Sequence, residues 1–79
     1  MRARDAYRLI FSRAGFAPAF LAHPSRVDHV EVVDVESGEV VLFWDRPATE
    51  AARLARAVRQ DLIALDAEEF LARWTTVES

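Results

Sequence analysis

The chain has 79 residues, 52% of them hydrophobic and 29% charged, with a formal net charge of -3, a pI near 5.3 and no cysteine. A chain this short is close to the size at which one core barely supports itself, and without thiols neither disulfides nor thiolate metal sites can reinforce it, so a reducing, cytoplasmic setting is expected. The net charge conceals an asymmetry, because residues 1–26 carry five arginines against Asp5 alone whereas residues 27–79 carry five against twelve acids, and no lysine occurs anywhere.

Residues 1–15 have Ala3, Tyr7, Ile10, Phe11 and Ala14 at three- and four-residue spacing, with Gly15 as a stop, which predicts a basic N-terminal helix. Charge interrupts its apolar residues, so it is not expected to be a signal peptide. No apolar run approaches the roughly 20 residues that cross a bilayer, and no membrane association is expected. Residues 16–26 follow as an apolar strap, in which Pro18 and Pro24 oppose a long regular element while Phe16, Phe20 and Leu21 call for a hydrophobic surface.

Residues 27–45 predict a β-hairpin about the loop Val35-Glu36-Ser37-Gly38, with Asp34 facing Glu39. Continued without a break, that register places Val30, Val32, Val41 and Phe43 on one face. The other face then carries Val33, Val40, Leu42 and Trp44 beside His29 and Glu31. Such a ribbon is apolar on both faces and open at its edges, so a second copy is expected to cover one of them.

Residues 46–65 carry Ala51, Leu54, Ala55, Val58, Leu62 and Leu65 on one helical stripe, with Pro47 in the first turn and Asp45 or a neighbour as cap. Residues 66–76 start a further helix at Asp66, with the acid-led spacing of a capping box to Glu69 and with Phe70, Leu71 and Trp74 as its apolar side. The expected fold is thus a single α+β domain of order α-β-β-α-α, an antiparallel hairpin packed on a C-terminal helical pair and completed by dimerisation.

Chemistry is sparse. Tyr7, Ser12, Ser25, Ser37, His23 and His29 are the candidate catalytic side chains, none of them in a nucleophile motif, so no catalytic residue is assigned and no enzyme is expected. His23 and His29 are six apart across Pro24, beside Asp28, Glu31 and Asp34, and match no closed metal site. The acids around Ser37 lack the twelve-residue pattern of a calcium loop. Gly15 and Gly38 are the only glycines, and no phosphate-binding loop or cofactor is implied.

Arg4 and Arg8 in the first element, and Arg53 and Arg56 in the long helix, are the candidate nucleic-acid contacts, opposed by the acidic balance of the chain. Phe43, Trp44, Phe70 and Trp74 suit a core or interface better than a ligand box. The expected function is therefore that of a small adaptor or regulatory protein, a homodimer with a further protein partner. Its expected interface is Phe16, Phe20, Val33, Val40, Leu42 and Trp44. A DNA-associated regulator of antitoxin type, and a binder of small apolar ligands, are the alternatives.

Overall fold

The structure, a computed structural model, describes residues 1–12 and 27–78. It is α+β, in the order α1 (Ala3–Ala6), β1 (Tyr7–Ser12), β2 (Val27–Asp34), β3 (Val40–Pro47), α2 (Ala48–Ala64) and α3 (Ala67–Glu78). The three strands form one antiparallel sheet of order β1-β2-β3, and both long helices pack on one of its faces. The expected strap, with Phe16 and Phe20, lies outside the described residues.

The N-terminal helix over residues 1–15 is corrected. Among its described residues, 1–12, only one helical turn forms, and Tyr7–Ser12 is a strand hydrogen-bonded to β2. Leu9 explains the outcome: it lies off the helical stripe of Tyr7, Ile10 and Phe11, whereas period two puts Tyr7, Leu9 and Phe11 together on the packed face and Arg8 and Ile10 outside. The run Tyr-Arg-Leu-Ile-Phe is also rich in strand formers, and β2 offered an edge to pair with.

The hairpin forms where expected. Gly38 takes φ +77°, the Asp34 N–H donates to the Glu39 carbonyl at 2.8 Å, and Asp34 Oδ1 accepts from the N–H groups of Glu36 and Ser37 at 2.8 and 3.1 Å. Its register is corrected beyond the first pair. Val33 faces Val40 as expected, but Val32 then faces Leu42, leaving Val41 as the extra residue of a β-bulge. That single residue re-sorts the faces. Val30, Val32, Leu42 and Trp44 become one buried layer, joined at its end by Asp28, and Phe43 moves to the opposite side.

Ala51, Ala55, Val58 and Leu62 of α2 close over this layer, the two alanines letting the helix axis approach the strands. Leu54 and Leu65, the rest of the predicted stripe, are only partly buried. The expected Asp45 cap does not form. Asp45 lies within β3, and α2 begins after Pro47 with no side-chain cap. Phe70 and Trp74 anchor α3. The Phe70 ring stacks on Tyr7 with centroids 5.6 Å apart, and Trp74 meets Trp44 edge to face, also at 5.6 Å. Trp74 Nε1 donates to Asp61 Oδ2 at 3.0 Å, which ties α3 back to α2.

The chain start is stitched to the connection between these helices. Ala3 N–H donates to the Leu65 carbonyl at 3.0 Å, Ala67 N–H donates to the Met1 carbonyl at 2.9 Å, and Arg2 and Asp66 form a β-bridge. The Arg2 guanidinium reaches the Ala64 carbonyl at 3.3 Å, where a cation also opposes the negative end of the α2 dipole.

Candidate functional site on the open face of the sheet

Because both long helices among the described residues, α2 and α3, lie on one side, the other side of the sheet is where function can be sought. The register arranges nine side chains there as three rows across β1, β2 and β3: Arg8, Val33 and Val40; Ile10, Glu31 and Phe43; Ser12, His29 and Asp45. Ile10, Phe43 and Val40 are 39%, 42% and 51% exposed, a scatter of large apolar groups among charges.

The last row is the most ordered. His29 Nδ1 and Asp45 Oδ1 are hydrogen-bonded across the strands, and the Phe43 ring stacks on the imidazole with centroids 5.7 Å apart and an interplanar angle of 24°. With Nδ1–H donated to the carboxylate, Nε2 is left as the acceptor. At the other end of the face, Arg8, Ile10, Val33, Asp34, Val35 and Gly38 line a shallow concavity of about 250 Å³. A second groove, about 380 Å³, lies beside Tyr7 on the helical side, with Leu71, Ala72 and Thr75 along it.

The two outer strands differ in what guards their free edges. β3 has the bulge at Val41, the charges of Asp45 and Arg46 and a terminal proline, all of which hinder pairing with another strand. β1 reads Tyr-Arg-Leu-Ile-Phe-Ser, with one charge and no proline or bulge, and pairs with no described strand on its far side.

The expected interface is divided by the fold. Val33 and Val40 are on the open face, Val33 half-buried and Val40 exposed. Leu42 and Trp44, at 1% and 2% exposure, are core residues of their own chain and are corrected as contact residues, because the bulge turns them under α2 and α3. The aromatic set separates likewise, Trp44 and Phe70 both contacting Trp74 inside while Phe43 lies across the sheet.

The arginine candidates fall on different surfaces. Arg8 is on the open sheet face, Arg53 and Arg56 are exposed on α2 on the far side, and Arg4 is on the α1 turn. His23 lies outside the described residues, and His29 takes Asp45 as its partner. Among the described residues no group of three or more His, Asp or Glu side chains is placed to hold a metal ion. No described helix is long and apolar enough to cross a membrane.

The pairing of His29 with Asp45 is what sequence reasoning missed, since the unbulged register sets His29 against Trp44. A hydrophobic layer assigned jointly to Leu42 and Val32 was the signal that would have found it. The chain matches no family model, no curated protein and no solved structure.

Proposed function

We propose that this chain is a small adaptor or regulatory protein that works by binding, and that it does so as a homodimer joined along β1. The observation that carries this reading is the contrast between the guarded edge of β3 and the unguarded edge of β1. Antiparallel addition of a second β1 about a twofold axis pairs the side of β1 that no described strand occupies in either copy and extends the sheet to six strands. The groove beside Tyr7 adjoins the same strand and adds apolar surface below the sheet. A dimer of this kind leaves the open face of each copy available to a further protein, and the lack of cysteine suits a reducing cytoplasm.

The test is the mass of the full chain in solution. Sedimentation equilibrium should give a concentration-dependent dimer, and Ile10→Lys, which sets a charge on the outward side of β1, should give a monomer with unchanged far-UV dichroism. A wild-type chain that stays monomeric at several hundred micromolar, or an Ile10→Lys variant that stays dimeric, overturns the reading.

A further inference from the structure

His29 is the direct cross-strand partner of Ser12 on one side and of Asp45 on the other, and all three project from the sheet face opposite α2 and α3. Directly opposed residues of an antiparallel pair hold their Cβ atoms about 4.5–5.5 Å apart, so Ser12 lies within side-chain reach of the imidazole. On the imidazole's other flank the hydrogen bond to Asp45 is formed. Ser12, His29 and Asp45 thus share one register row, with the imidazole's residue in the middle and the carboxylate hydrogen-bonded to Nδ1.

We propose that this row is a nucleophilic acyl-transfer site for small activated carboxylic esters. Ser12 Oγ adds to the ester carbonyl carbon while His29 Nε2 takes its proton. The tetrahedral intermediate then breaks its bond to the alkoxy oxygen, which leaves with the proton held by His29. A water molecule next adds to the acyl-Ser12 carbonyl, again giving its proton to Nε2. Collapse releases the carboxylic acid and returns that proton to Ser12 Oγ. Asp45 is a positioning residue: by accepting from Nδ1–H it fixes the tautomer in which Nε2 is the base, and the Phe43 ring against the imidazole restricts its rotation.

The sheet itself sets the substrate class. Backbone N–H groups lie in the plane of a sheet and bond to neighbouring strands, so none is aimed at an oxygen above the face, and the roughly 10²–10³-fold gain of an oxyanion donor is not supplied. The site therefore suits esters whose leaving group is already good, such as aryl esters. Ile10 and Phe43, in the adjoining row, offer an apolar flank for the acyl or aryl group. All three residues belong to one chain, and although Ser12 ends β1 its side chain projects from the sheet face rather than along the direction in which β1 would pair. Turnover is thus expected whether or not the chain dimerises, and failure of either proposal is read independently of the other.

The experiment uses the full chain with p-nitrophenyl acetate and a fluorophosphonate probe. Peptide mass spectrometry should place the probe on Ser12. Ser12→Ala and His29→Gln should each abolish the adduct, and each should lower ester turnover about 100-fold, the scale of a lost general base or its nucleophile. Asp45→Asn should lower kcat about 10-fold with KM unchanged, a smaller loss than at a buried site because solvent partly replaces the carboxylate, and Asp45→Glu should recover most of it. A structural role in holding β2 to β3 would instead shift the melting temperature and leave kcat in place. Absence of an adduct at Ser12 overturns the proposal. So does a Ser12→Ala variant that turns over ester like the wild type, since His29 alone would then be hydrolysing it. Should His29→Gln fail to fold, Ser12→Ala decides the matter.

Discussion

Replacing Leu42 with Ala and, separately, Phe43 with Thr tests the placement of the bulge, because the two residues are neighbours in sequence and opposite in burial, Leu42 at 1% exposure and Phe43 at 42%. Leu42 is opposite Val32 in a layer closed by α2, and truncating a leucine in such a site removes its transfer free energy and leaves a cavity, about 3 kcal/mol together. Phe43 is already nearly half in water. Its loss removes part of an aromatic surface and the stack on His29, while threonine keeps strand propensity, a cost of about 1 kcal/mol. For a chain of this length each kcal/mol lowers Tm by about 4–8 °C, so the drops are about 12–24 °C for Leu42→Ala and about 4–8 °C for Phe43→Thr. Total stability at about 0.05–0.15 kcal/mol per residue is only about 4–12 kcal/mol, so the first variant sits close to its unfolding limit. Thermal melts followed by dichroism give both values. An unbulged strand reverses the order, and a larger loss for Phe43→Thr than for Leu42→Ala would refute the register and the face assignments built on it.

Deleting Val41, which yields the same sequence as deleting Val40, should give a folded protein. The pairs Val33 with Val40 and Val32 with Leu42 become consecutive in a regular ladder, and only the half-buried valine is lost, at about 1 kcal/mol. An unfolded product by proton NMR would contradict this. Trp74→Phe should cost about 2 kcal/mol more than Trp44→Phe in urea titrations. The first trim breaks the Nε1 hydrogen bond to Asp61, whereas the second removes an indole N–H that is buried without an acceptor. Equal urea midpoints for the two would argue against the Trp74–Asp61 link.

The helices were the legible part of the sequence, and the reason is that their signals are redundant. The α2 stripe repeats its apolar residues over four turns, so the predicted span of 46–65 lands on Ala48–Ala64 even though the assigned cap was wrong. The span 66–76 likewise lands on Ala67–Glu78. The hairpin turn was equally readable, since Gly38 at positive φ and the Asp34 side chain specify it locally. The N-terminal element was not. Over six residues an apolar run fits period 3.6 nearly as well as period two, and the choice was made by something remote in sequence, the free edge of β2.

The candidate site was hidden by those same two readings. Taking Tyr7–Ser12 as helix removed Ser12 from the sheet, and taking β3 as unbulged set His29 against Trp44 and Asp45 against Asp28. No local property of Ser12, His29 or Asp45 marks them as a group, because they are 17 and 16 residues apart and each sits in an ordinary strand context. What joins them is register, and register here depends on burying Leu42 and Trp44 together, which demands one surplus residue between Val33 and Val32's partners. The hydrophobic layer beneath the sheet therefore sets the polar row above it: a change of core preference in β3 that removed the need for the bulge by exchanging the burial of Val41 and Leu42 would separate Asp45 from His29 without touching either residue.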